Sequence, residues 1–215
     1  MPESVVGRPV VFFIVGRESR RNLAMKILAR KRRMAILTGL VGAMAPPAGA
    51  AAQVIPFSQR GLVGQRVGFT DISIDYSRPV ARGRVLFPGV VRWDTIWHPG
   101  ADSASRMAVT RDIEVEGHPL PPGEYSFWLI PRESGRWTVI LSRAARVFHT
   151  PYPGASQDAL RFEVATEQGA HLETLGYYFP VVNRDEALLR IHWGTTIVPI
   201  RIRAPWRPGD AGTGP

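Results

Sequence analysis

Beyond Gln53, apolar and polar residues take turns along the chain, and this period of two limits the chain to strands that each bury one face. Val67 and Phe69, then Ile72, Ile74 and Tyr76, alternate with polar neighbours, and the change of phase at Thr70 and Asp71 predicts a bulge or a short turn. Similar stretches occupy 107–109, 113–115, 124–130, 137–142, 160–165, 174–179, 188–193 and 197–202. Gly117, Pro119, Pro121, Pro122 and Gly123 break two of them apart, and residues 131–136 join two others as a hairpin loop would. No segment past Gln53 has the apolar spacing of a long helix. About eight to ten short strands at near-regular spacing predict an all-β fold, a single antiparallel β-sandwich or jelly-roll-like domain over residues 53–204. Residues 205–215, rich in Pro and Gly, read as a flexible tail.

The segment ahead of that domain is of another kind. The chain carries a formal charge of +9 over 215 residues, and +7 of it falls in the first 52. The basic run Arg30-Lys31-Arg32-Arg33 precedes an apolar stretch over 34–45, then Pro46, Pro47 and the small residues 48–52, the order of a secretory signal. A helix over 34–45 reaches about 18 Å against a hydrocarbon core of roughly 30 Å, so a permanent membrane span is not expected. We therefore expect a signal peptide over 25–52, cleaved between Ala52 and Gln53, and a periplasmic or secreted product. Met25 is the expected start, with Met34 as the alternative, and residues 1–24 read as an extension upstream of it.

The remainder is close to neutral, which withdraws the electrostatic drive for nucleic-acid binding that the whole-chain pI near 10.9 suggests. It holds no lysine, which removes Schiff-base chemistry and a P-loop. The chain has no cysteine, and so no disulfide, thiolate metal site or cysteine nucleophile.

Several ordered motifs carry a family resemblance. They are Asp75-Tyr76-Ser77-Arg78-Pro79 with Gly83-Arg84, then Trp97-His98-Pro99-Gly100-Ala101-Asp102, then Val115-Glu116-Gly117 through Pro122-Gly123-Glu124-Tyr125, and Trp137-Thr138-Val139-Ile140. Asp158-Ala159-Leu160-Arg161 and Leu189-Arg190-Ile191-His192-Trp193 with Val198-Pro199-Ile200 complete the set. Over roughly residues 56–203 the chain resembles the bacterial domain of unknown function 2911 family. The resemblance implies a secreted or envelope all-β protein with no established activity. In that family the segment after the tryptophan usually reads Arg-Thr-Gly-Ala-Asn with a following Glu, whereas His98, Pro99, Asp102 and Ser103 stand here.

Two constellations point to a ligand. Trp97, His98, Asp102 and Arg106 share a Gly/Pro-containing loop, in which the indole offers a stacking surface and the charged groups can orient a small molecule. Arg78, Arg82 and Arg84 cluster beside Tyr76 and can hold a carboxylate or phosphate in two-point contact, unless Asp71 or Asp75 pairs with them. If that piece is extended, Arg82 and Arg84 share one face. The expected ligand-binding set is Tyr76, Arg78, Arg84, Trp97, His98, Asp102 and Arg106, for a small-molecule or anionic ligand.

The histidines, His98, His118, His149, His171 and His192, form no H-x-H, H-x-x-x-H or H-E-x-x-H, so no metal site and no cofactor is predicted. Glu114 and Glu116 alternate with Ile113 and Val115, so burial of the apolar pair turns both carboxylates toward solvent. No G-x-S-x-G is present. The favoured reading is a non-catalytic ligand-binding or structural envelope module. The competing reading is a hydrolase of envelope glycans or small esters that works through dispersed His, Asp and Glu. Three or more of His98, Asp102, Glu124, His149 and His192 in one concavity would favour it. A third is assembly through an exposed edge strand at 197–202.

Overall fold

Residues 55–206, described by a computed structural model, form ten strands: β1 (Gln59–Val67), β2 (Thr70–Arg78), β3 (Arg106–Val109), β4 (Ile113–Val115), β5 (His118–Leu120), β6 (Gly123–Ile130), β7 (Trp137–Ser142), β8 (Asp158–Val164), β9 (Glu167–Val182) and β10 (Glu186–Arg203). They make a six-stranded sheet, β1-β2-β3-β6-β7-β8, and a four-stranded sheet, β5-β4-β10-β9, with antiparallel pairing throughout. The all-β sandwich expected from the alternation is what forms. The expected signal peptide over 25–52, its cleavage point at Gln53, the extension over 1–24 and the tail from 207 onward lie outside the described residues. Among the described residues no helix is long and apolar enough to cross a membrane.

The inner faces meet in one apolar core. Ile72, Ile74 and Met107 from β2 and β3 and Phe127, Leu129, Val139 and Leu141 from β6 and β7 pack with Leu175, Leu189, Ile191 and Ile200 of β9 and β10. Strands β6 and β7 differ from the others because they are also buried on their outer face. There Trp128, Ile130 and Ile140 make a second cluster with Ala104, covered by Ile96, Val147 and Tyr152 from loops. A strand buried on both faces loses its polar alternation, as Phe127-Trp128-Leu129-Ile130 shows.

Some elements differ from expectation. Phe69 sits in the turn between β1 and β2, not in a strand, and is 40% exposed. Gly68 takes φ +56 there, the left-handed backbone that a two-residue hairpin turn requires, so the phase breaks before Thr70. The stretches 188–193 and 197–202 are one strand, β10, whose register against β9 shifts on either side of Gly194. Gly194 has φ +60, where a side chain is strained, and a Cβ there would lie 2.8 Å from Leu86 Cδ1, which would have to move. Residues 197–202 expose no apolar edge. Strand β10 pairs with β9 as far as Ile197 and with β4 at Ile202 and Arg203, and Ile197, Val198, Ile200 and Ile202 are buried. Ile113 and Val115 are buried as the pattern requires, and the glutamates on the other side are held by β10. Arg203 lies 3.5 Å from Glu114, and Arg201 donates its backbone N–H to Glu116 at 2.6 Å.

The double burial of β6 and β7 makes a quantitative demand. Trp128 is fully enclosed and donates its indole N–H to Ser126 Oγ at 2.9 Å. Trp128→Ala should therefore cost about 3–5 kcal/mol in chemical denaturation, whereas Leu62→Ala on the exposed face of β1 should shift stability by under about 0.5 kcal/mol. Equal small effects would contradict a packed outer face.

Candidate functional site

Strand β3 pairs with only the first half of β6, Gly123 to Ser126, which leaves backbone groups of the second half to be satisfied. The loop before β3 supplies the partners. Trp97 and Leu129 exchange backbone hydrogen bonds of 2.8 and 2.7 Å, Phe127 donates to Ser105 O at 2.8 Å, and Asp94 donates to Pro131 O at 2.8 Å. Trp97 is thereby fixed on a strand-like rail, not on a free loop. Its ring stacks on Trp193 of β10 with centroids 6.0 Å apart and an interplanar angle of 17°, while Phe87 meets it edge-on.

The arginine segment is placed by a similar substitution. Past β2 the chain leaves the six-stranded sheet and pairs with β9: Leu175 donates to Pro79 O at 2.9 Å, and Ala81 donates to Glu173 O at 2.8 Å. It then turns, with Arg82 at φ +54 and Gly83 at φ +67. The piece is thus not extended, the condition under which Arg82 and Arg84 would share a strand face, and the turn instead places both residues in the lining of one cavity. Arg84 is held by its own backbone, Nε donating to Ala81 O at 2.9 Å and a terminal nitrogen to Val80 O at 2.7 Å. The Arg82 guanidinium lies 4.7 Å over the Phe57 ring. Asp71 and Asp75 engage Arg66, Arg60 and Arg106 instead, so neither Arg82 nor Arg84 has an ion-pair partner among the described residues.

These two segments enclose a cavity of about 260 Å³ lined by Arg82, Arg84, Trp97, Trp193 and Phe57, with Pro79, Val80, Val90, Ser58 and Gly100 completing the wall. No carboxylate lines it. The Trp193 indole N–H is buried away from solvent and has no acceptor among the described residues. Two cations and an aromatic wall make a receptor for an anion with an apolar body.

The other expected site residues are placed elsewhere. Tyr76 is buried, packs edge-on against Tyr177 with centroids 4.5 Å apart, and its hydroxyl accepts the Tyr177 backbone N–H at 3.2 Å. Arg78 donates to Leu175 O at 3.1 Å. Both tie β2 to β9 and neither lines the cavity. Arg106 belongs to a charge ladder across the outer sheet face, Arg60–Asp75–Arg106–Glu124–Arg146, beside a second cavity of about 330 Å³. Asp102 is exposed at φ +59, and its carbonyl accepts both the backbone N–H and Nδ1–H of His149, at 3.0 and 2.9 Å.

His98 is 4% exposed, its ring stacks on that of His149 at 5.6 Å, and its Nε2 has no partner. Burial, and then the neighbouring His149, push its pKa down to about 4, against an opposing pull from the carbonyls of Ala101 and Ser103. Next to it Pro99 O accepts from Ser105 Oγ at 2.7 Å and from Tyr177 O–H at 2.8 Å, which locks the turn that carries Gly100 into the cavity wall. Burial also drives the Tyr177 hydroxyl pKa well up, so the hydroxyl keeps its proton. His98, Asp102 and His149 thus come together, but none of them lines the Trp97 cavity or the Arg106 cavity. Glu124 is in the charge ladder, and His192 is buried against Tyr178 and the Ala170 and Gly194 carbonyls. Among the described residues no three His, Cys, Asp or Glu side chains are grouped to hold a metal.

Sequence reasoning missed Trp193 and Phe57. Nothing local marks the Trp193 N–H as unpartnered, because its surroundings come from residues about a hundred positions earlier.

The depressed His98 pKa fixes a sign. The unfolded chain takes up the proton near pH 6.5 and the folded chain only near pH 4, so stability is complete above about 6.5 and falls as pH drops toward 4. The loss should be on the order of 3 kcal/mol at most, read from urea midpoints across that window. His98→Gln should flatten the difference, and a variant with the wild-type pH slope would refute the assignment.

Comparison with curated proteins and with solved structures returns no match. One family does match, over residues 58–202, described as protein of unknown function (DUF2911). That span runs from the first strand to the last and takes in both walls of the cavity, and the chain belongs to this family.

Proposed function

We propose that the protein is an exported binding module that holds a small organic anion, without transforming it, in the cavity between residues 79–84 and the Trp97–Trp193 stack. The observation that carries this reading is the lining itself: two arginines beside an aromatic wall with no carboxylate in it, Glu173 acting on Arg84 only from outside the lining. Guanidinium groups bind carboxylate or phosphate oxygens in two-point contacts, more strongly where water is partly excluded. Export rests on the basic, apolar and small-residue order of residues 30–52. The hydrolase reading lacks a concavity in which a base, an acid and a nucleophile converge, since His98 and His192 are buried in packing and Glu124 is in ion pairs.

The test is titration of the purified full chain with phosphate, sulfate, acetate and benzoate, read by indole fluorescence. At least one of these anions should bind in the millimolar range or tighter, and binding should weaken with salt. Arg82→Gln and Arg84→Gln should each weaken it about tenfold, a loss of about 1.4 kcal/mol. Four flat titrations, or binding unchanged in both variants, would dispose of the site. Export is checked separately by the N-terminus of protein recovered from cells, expected at Gln53.

A further inference from the structure

The polar side chains facing the cavity are almost all of one kind. Arg82 and Arg84 can only donate hydrogen bonds, and Ser58 alone offers a side-chain acceptor. Glu173 lies outside the lining: its carboxylate accepts the Arg82 backbone N–H at 2.6 Å, contacts the His171 ring at 2.9 Å and interacts electrostatically with Arg84. A wall of donors satisfies acceptor atoms and leaves ligand hydroxyls or ammonium groups unpaired, at a cost of about 1–3 kcal/mol for each one buried. Sugars and amines therefore fit poorly. A bare inorganic anion would use the arginines but leave Phe57, Val90, Trp97 and the proline–valine pair 79–80 facing water.

The remaining surface is apolar and flat. The Trp97 and Trp193 rings are stacked and nearly parallel, and Trp97 is half-buried and lines the cavity, so it is the flat surface there that a further ring can meet. A volume of about 260 Å³ is slightly below the usual range for drug-sized ligands, which limits the ligand to one or two rings. Arg84 is held by two bonds, from Nε and one terminal nitrogen to the Ala81 and Val80 carbonyls, which leaves its remaining N–H groups for a ligand, and Arg82 rests on the exposed Phe57.

We propose that the ligand is a small aromatic carboxylic acid, poor in hydroxyl groups, with its carboxylate on Arg84 and Arg82 and its ring against Trp97. This deepens the anion-binding reading and rests on it. The ring supplies the apolar contact and the carboxylate meets the two charges.

The experiment compares benzoate, acetate, glucuronate, phosphate and benzylamine on the full chain by calorimetry. In parallel, the Trp193 indole ¹⁵N–¹H resonance is followed by NMR and assigned by its loss in Trp193→Phe. Benzoate should bind at least tenfold more tightly than acetate, glucuronate or phosphate, benzylamine should not bind, and the Trp193 indole resonance should shift as benzoate is added, because Trp193 lines the cavity. Phosphate or acetate binding as tightly as benzoate, and lost in Arg84→Gln, would overturn the aromatic-acid assignment while leaving the anion site standing. Preferential binding of glucuronate would overturn it in favour of a hydroxylated acid. An unmoved indole resonance on saturation with benzoate would overturn the placement. No binding by any of the four anions would remove both the site and this assignment.

Discussion

The burial of β6 and β7 on both faces is the constraint from which the rest of the structure follows. One face is covered by the four-stranded sheet, and the other, carrying Trp128, Ile130 and Ile140, has only loops to cover it. Leaving those side chains in water would forfeit roughly 1.5–3 kcal/mol each, so the loops are held against the sheet. The same loops satisfy the backbone of the half of β6 that β3 does not reach, through Trp97, Ser105 and Asp94. Order in the segment around Trp97 is thus a by-product of core formation, and a rigid segment beside a gap between sheets is a ready-made wall for a site.

The other wall has a similar origin. Between β2 and β3 the chain crosses to the second sheet and adds itself to β9 along residues 79–81. Tyr76 and Arg78, at the end of β2, make that crossing possible by bonding to the backbone of Tyr177 and Leu175. Two groups expected to touch a ligand are therefore the supports of the groups that line the cavity. Arginine is useful in both roles because its fork can hold a carbonyl as readily as an anion.

How far this could be read from sequence follows from the range of the interactions involved. The period of two locates most strands, since it reflects a local choice of face, and β6 and β7 stand out by losing that period. The short β5 and the outer part of β1 escape notice, one because it is three residues around a proline, the other because its exposed Leu62 and the small Gly61 and Gly64 blur the pattern. Trp97 and Arg84 were legible as site residues because their types are unusual in a loop near turn residues. Their meeting with Trp193 was not, because it needs a bulge at Gly194, the crossing at 79–81 and the pairing of Trp97 with Leu129 at once. Asp102 and Arg106 looked like part of the same site because they are neighbours in sequence. The positive φ at Asp102 and the strand start at Arg106 turn the chain away, toward the outer face of the six-stranded sheet.

The central claim is that two chain segments recruited for backbone satisfaction also build a receptor whose side chains donate nearly all of its hydrogen bonds. The most direct test is a crystal structure of the protein grown with an aromatic carboxylate such as 4-bromobenzoate, whose bromine is located by anomalous scattering. The account predicts the carboxylate against Arg84 and Arg82, with the ring over Trp97. Bromine found only at other surfaces, with the cavity holding water or closed by Phe57, would contradict it.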